Sequence, residues 1–157
     1  MLRDHRQKQV QRAQEAFRRR QAPQQYGEWL QSAARWSWFV TVTFRRARGR
    51  DVALGELERF LNELEVAAGE PILWVIAEAF GKIRGRYHCH LLIAGVDRVS
   101  IDPWEREAHR RFGWTEIEPY EPSLGGAHYV ARNAFARNGE LHFGGSGSNN
   151  NAIGPRP

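Results

Sequence analysis

Apolar and polar positions change period several times along this chain, and the changes predict its elements. Trp36 to Phe44 (WSWFVTVTF) is aromatic and β-branched and alternates in its second half, the pattern of a largely buried strand. Asp51 to Ala68 sets Leu54, Leu57, Phe60, Leu61 and Leu64 at helical spacing, so one face packs on a sheet while the Glu-rich face meets water. Gly69 supplies the stop, because glycine tolerates the left-handed conformation that closes a helix. Pro71 to Ala79 and Tyr87 to Ala94 follow as apolar strands, and the glycines and charges of the intervening FGKIRGR suit a hairpin loop. These two strands are expected to pair antiparallel. Asp102 to Arg111 opens with an N-cap and a proline at the first helical position, Trp114 to Glu118 has the look of an edge strand, and Gly125 to Arg137 that of a helix. Leu141 to Phe143 is a candidate for one last short strand.

The order strand, helix, strand, strand, helix, strand, helix predicts an α+β fold: an antiparallel sheet of four to five strands with helices packed chiefly on one face, in a ferredoxin-like or RRM-like topology. Both ends differ from this middle. Residues 1–21 contain good helix formers without a broad apolar stripe, Pro23 interrupts, and Tyr26 to Arg35 is expected as a short helix whose Trp29 and Leu30 cover the domain. The final GGSGSNNNAIGPRP has the composition of a flexible tail. The expected organisation is a basic helical arm over 1–35, one folded domain over 36–143 and a tail over 144–157. At 157 residues the chain can bury one core but is short for two.

Charge adds a direction to this picture. Residues 1–50 hold 12 basic and 3 acidic side chains, whereas residues 51–157 hold 11 and 15. Basicity gathered at one end can neutralise phosphates and release counterions, which points to a polyanionic partner. Arginines that merely solubilise an exposed face produce the same pattern, so charge alone leaves both readings open. Cys89 is the single cysteine, which excludes an internal disulfide and a cysteine-rich zinc module. There is no apolar run near the ~20 residues that span a bilayer, and the first residues are too polar for a secretory signal. No membrane partner and a cytoplasmic location are therefore expected.

The chemistry concentrates in three places. His88 and His90 flank Cys89 within a strand, so both imidazoles project from one face about 7 Å apart and form a workable chelate. Cys89, Leu91 and Ile93 fill the other face, which leaves the histidine side solvated or occupied by a ligand. Glu78 lies on the preceding strand, where antiparallel pairing is expected to bring its carboxylate to the imidazole pair. Two histidines and a carboxylate with open positions suit Mg²⁺ or Mn²⁺ bridging a phosphate, although by affinity alone Zn²⁺ or Cu²⁺ binds more tightly. An ion pair of Glu78 with Lys82 or Arg84 is the alternative. Tyr129 has Arg132 and Asn133 as neighbours at the next helical turn. A phenol is a poor nucleophile at neutral pH until a cation or a metal-polarised phosphate assists it, and Arg132 stands where it can supply that charge or grip a phosphate.

Taken in order, WFVTVTF at 38–44, Glu78 ahead of GRYHCHLLIAG at 85–95, and AHYVARNAF at 127–135 resemble the three motifs of the HUH endonucleases, in particular the rolling-circle replication initiator (Rep) proteins. The resemblance spans about residues 36–138, making 36–143 an HUH-type nuclease domain. It implies a metal-dependent, site-specific single-stranded DNA endonuclease and strand transferase. His88, His90 and Glu78 would hold the ion, and Tyr129, assisted by Arg132, would attack the scissile phosphate to leave a 5′-phosphotyrosine and a free 3′-hydroxyl. Members that use two tyrosines carry the second four residues on, where this chain has Asn133, so the single-tyrosine type is expected. Many relatives have Lys where Arg132 stands; arginine keeps the charge but does not readily give up a proton. His128 would point elsewhere on the helix, as a surface or DNA-contacting residue. Phosphate contacts are assigned to Arg45, Arg46, Arg48, Arg50, Lys82 and Arg86, and base stacking to exposed aromatics such as Tyr87 or some of the six tryptophans. The expected partner is single-stranded or hairpin DNA at the replication origin of a plasmid, phage or similar element in a prokaryotic cell, with a host helicase supplying unwinding. Two rivals stand beside this: a single-strand DNA transposase of the same superfamily, and a non-catalytic RRM-like nucleic-acid-binding module.

Overall fold

The computed structural model describes residues 12, 21–46, 48–80, 86–135 and 140–147. Strands β1 (Trp36–Phe44), β2 (Leu73–Phe80), β3 (Tyr87–Ala94), β4 (Gly113–Pro119) and β5 (Leu141–Gly144) form one antiparallel sheet in the order β4-β1-β3-β2-β5. With α1 (21–33), α2 (Arg50–Ala68), α3 (Ile101–Arg111) and α4 (Gly126–Phe135), this is the expected α+β fold. Most of the basic arm (1–11 and 13–20), the loop with Lys82 and Arg84 (81–85) and the tail over 148–157 lie outside the described residues.

Alternation along the strands divides the sheet into two apolar faces. On the first, Val40, Val42, Ile76, Cys89, Leu91 and Ile93 pack against Leu57, Phe60, Leu61 and Leu64 of α2 and against Ala108 and Phe112 at the end of α3. On the second, Val75, Ala77, Leu92 and Ala94 meet Leu30 of α1 and Ala127, Val130, Ala131 and Ala134 of α4. The helical cover, expected chiefly on one face, is thus divided between two. The physical reason lies in β3, where LLIA is apolar at every position, the signature of a strand buried on both sides. Cover on the second face is incomplete. Along β4 the outward residues Trp114, Glu116 and Glu118 stay exposed, while Thr115 and Ile117 turn into the first core.

Two helix boundaries differ from expectation. Ser100 rather than Asp102 is the residue before α3, and Asp102 falls in the first turn, where a negative charge still complements the helix dipole. Pro23 lies inside the helical range instead of breaking it, since its fixed φ is itself helical and only its own N–H is lost. Gly69 ends α2 as expected: at φ 68° its N–H reaches the carbonyls of Glu65 and Val66.

Gly27 sets the distance between α1 and α4. A Cβ there would stand 2.4 Å from the His128 ring and 2.9 Å from the His128 Cα. His128 is therefore part of a helix contact and is half-buried, whereas a surface role was expected. Gly27→Val should cost about 1–3 kcal/mol through this overlap, read as a lower midpoint in urea. An unchanged midpoint would mean that α1 does not seat against α4.

Candidate functional site

Strand register decides which candidate residues share a face. His88 and His90 lie opposite Thr43 and Thr41 on β1, and opposite Ala79 and Ala77 on β2. The β2 residue directly opposite Cys89 is Glu78. Residues paired directly across an antiparallel ladder point to the same side, so Glu78 turns with Cys89 toward α2, away from both imidazoles. The expected ligand set of His88, His90 and Glu78 is therefore not assembled. Sequence order placed Glu78 on the neighbouring strand correctly, but one residue of register separates the two faces of a sheet.

The imidazoles meet Tyr129 instead. The His88 and His90 rings are 5.0 Å apart between centroids, and the Tyr129 ring stands 4.8 Å from that of His90, nearly perpendicular to it. The His88 Nδ1–H donates to the Arg86 carbonyl at 3.1 Å, which leaves its Nε2 with a free lone pair. Thr41 Oγ1 holds His90 Nδ1 at 3.2 Å, and the buried His90 Nε2 has no partner among the described residues. His90 is only 4% exposed. Burial, reinforced by His88, depresses its pKa to about 4, so the ring stays neutral and able to donate a lone pair to a metal. Two imidazoles anchored through Nδ1, one with an orphaned Nε2, fit a divalent cation. With no carboxylate among these donors, the pair suits Mn²⁺ or a softer ion better than Mg²⁺.

A cavity of about 380 Å³ adjoins this corner, lined among others by Phe39, His90, Glu118, Tyr120, Tyr129 and Arg132. Phe39 packs on both rings, 5.9 Å from His90 and 6.1 Å from Tyr129. Tyr129 is 41% exposed and Arg132 is exposed without an ion-pair partner among the described residues. Asn133, one turn beyond Tyr129, donates from Nδ2 to the Tyr129 carbonyl at 2.8 Å and so is engaged with the helix itself.

On the opposite face Glu78 organises a buried polar cluster. Its carboxylate receives two bonds from Arg50 (2.7 and 2.6 Å), one from the Tyr87 hydroxyl (2.8 Å) and a contact from His142 Nε2 (2.9 Å). Burial alone would raise its pKa, but the bonds from Arg50, His142 and Tyr87 outweigh burial and hold it below the usual carboxylate range. Glu78, Glu140 and His142 offer donor atoms within 4.8 Å of one another, a spacing compatible with a metal. Arg50, however, already bridges Glu78 and Glu140, so a cation would have to displace a guanidinium. The cluster fastens β5 to β2 and α2.

The basic residues divide likewise. Arg50 is held in that cluster, and Arg48 pairs with Glu56 and donates to the Arg111 carbonyl at 3.0 Å, so neither is free for phosphate as expected. Arg45 donates to the His109 carbonyl at 3.1 Å. Arg46 and Arg86 are exposed without an ion pair among the described residues, and the β1–β3 register carries them to the end of the sheet where His88 emerges. Tyr87, expected to stack on bases, stacks on Phe44 at 5.3 Å between centroids and bonds to Glu78. Trp114 is the exposed tryptophan, 52% accessible, on the histidine face across Thr43 from His88. The signal for it was the alternation of WTEIE, which leaves one side of an edge strand unburied.

Fold and site together define an α+β protein whose central strand carries two imidazoles toward a tyrosine on its fourth helix. The chain belongs to the replication-associated protein ORF2 family, whose model matches residues 37–135 and so takes in the sheet from β1 to β4 and all of α4. No curated protein and no solved structure matches it. Among the described residues no helix is long and apolar enough to cross a membrane.

Proposed function

We propose that this chain is an HUH-type replication initiator of the single-tyrosine kind, cutting and rejoining single-stranded DNA at the origin of a mobile element in a prokaryotic cytoplasm. The observation that carries this reading is the Tyr129 ring 4.8 Å from His90, whose buried Nε2 lacks a partner among the described residues, at a cavity shared with Arg132. His88 and His90 would hold a divalent cation, which when bound polarises the scissile phosphate and offsets its charge. Tyr129 attacks phosphorus with its phenolic oxygen, the bond to the 3′ oxygen breaks, and a 5′-phosphotyrosine and a 3′-hydroxyl result. The phenolic proton leaves to solvent, which reaches the partly exposed ring, and the departing oxygen takes one up. Arg132 neutralises a phosphate oxygen in place, and Phe39 keeps the phenol close to the imidazoles. Because the ester retains the bond energy, a DNA hydroxyl can reverse the step, so joining accompanies cutting. A host helicase supplies unwinding.

Incubating the chain with a single-stranded stem-loop oligonucleotide and Mn²⁺ should give a covalent adduct on a denaturing gel, faster than with Mg²⁺. Chelation should remove it. Binding without an adduct across both metals and several origins would reject the nuclease reading and favour a binding module. Recovery of activity on mixing His88→Ala with Tyr129→Phe would favour a transposase that completes its site in trans.

Trp114 is proposed as a stacking platform on the open sheet face beside Arg46 and Arg86. Trp114→Ala should weaken single-stranded oligonucleotide binding by about 1–3 kcal/mol with little change in folding stability, measured by anisotropy and thermal melting. Undiminished affinity would take Trp114 off the DNA path.

A further inference from the structure

The cavity next to Tyr129 is more than a space for a phosphate. Its walls are the rings of Phe39 and Tyr120 with Leu124, and two carboxylates, Glu118 and Glu121, stand at its rim. A polyanion avoids carboxylates, so the phosphate backbone belongs on the Arg132 side and the part of a nucleotide that suits the Glu118 side is a base edge bearing hydrogen-bond donors. Glu121 is engaged, accepting from the Ser123 N–H at 3.2 Å and the Ser123 hydroxyl at 3.1 Å. Glu118 is exposed and has no partner among the described residues. Its place follows from register: Glu118 lies opposite Phe39, and Phe39 packs on His90 and Tyr129. The buried His90 Nε2, also unpartnered among the described residues, lies on the wall of the same cavity.

We propose that this cavity takes one unpaired nucleobase of the strand presented to Tyr129, and that Glu118 selects a base whose Watson–Crick edge donates, guanine first. This rests on the reading of the chain as a single-strand DNA nuclease and adds a base-specificity residue to it. Guanine offers N1–H and N2–H side by side, matching the two oxygens of one carboxylate. Cytosine and adenine each offer a single amino group, and thymine an N3–H flanked by two carbonyl oxygens that the carboxylate repels. Phe39 and Tyr120 provide ring surface against the base, which unpaired bases use without regard to sequence. Selectivity therefore falls to Glu118. Gly126 keeps the cavity open, because a Cβ there would come within 3.1 Å of the Tyr120 ring and 3.2 Å of that of Phe39.

The test uses the whole chain with Mn²⁺ and nine-residue oligothymidylates carrying one central guanine, cytosine, adenine or thymine, followed by anisotropy. The guanine oligonucleotide should bind roughly tenfold more tightly than the all-thymine one, as one bidentate base contact warrants. In Glu118→Ala the preference should vanish while affinity for oligothymidylate stays level or rises, since a repelling charge is removed. Tyr129→Phe should keep the preference and lose the covalent adduct. Equal affinity for all four oligonucleotides, or a guanine preference that survives Glu118→Ala, overturns the assignment. Failure of the nuclease reading looks different: base preference intact in a protein that never forms an adduct.

Discussion

Tyr129→Phe should abolish the covalent DNA adduct, a loss of roughly a thousandfold or more in the rate of its formation, while leaving oligonucleotide affinity within about twofold. Only the phenolic oxygen is removed; the ring that packs at 4.8 Å from His90 and 6.1 Å from Phe39 remains, so the corner keeps its shape. The hydroxyl has no hydrogen-bond partner among the described residues, and its removal strands nothing in the interior. A purely structural tyrosine would show the opposite pattern, a shift in stability with the adduct preserved. Neighbouring tyrosines cannot take over the reaction. Tyr120 lines the same cavity but sits before α4, and Tyr87 lies on the opposite face bonded to Glu78. Adduct formed at wild-type rate by Tyr129→Phe would remove Tyr129 as the nucleophile.

Glu78→Gln should destabilise the fold by about 2–3 kcal/mol, yet leave adduct formation by the folded protein nearly unchanged. The carboxylate is 1% exposed and serves Arg50, Tyr87 and His142 together, so neutralising it leaves several groups under-satisfied at once. The figure stays below that for a wholly buried pair because the Arg50 side chain is 45% exposed and partly screened by solvent. In a domain of this size the loss corresponds to a melting temperature lower by roughly 5–10 °C. The pH dependence has a definite sign. Since the folded carboxylate titrates below its unfolded value, its stabilisation is complete above the unfolded pKa and is lost as pH falls through the folded one. Acid unfolding of the wild type should therefore be steeper than that of Glu78→Gln. Normal stability with a lost adduct would mean that Glu78 serves the metal after all.

These two predictions separate residues that the sequence had joined. Strand and helix identities were legible because they depend on local period: WFVTVTF, the leucine spacing of α2 and the glycine that ends it each carry their own signal. Proximity of HCH to the tyrosine helix was legible only through resemblance, since about forty positions of chain separate the two, a distance that periodicity does not measure. Arg48 and Arg50 looked like phosphate ligands for a similar reason. An arginine run carries no mark of which members find a carboxylate at Glu56 or Glu78 once α2 docks.

By itself the sequence determined the order and type of the elements, the burial of β3 on both sides and the alternation that leaves β4 half open, because each is a property of neighbouring residues and the backbone's own geometry. Tertiary structure alone decided that Glu78 opposes Cys89, that His90 is shut beneath Phe39 and Tyr129, and that Glu118 stands at the cavity beside them. Those outcomes turn on a single residue of strand register and on how closely α4 packs. Both are settled by the summed burial of two cores rather than by any local run of side chains.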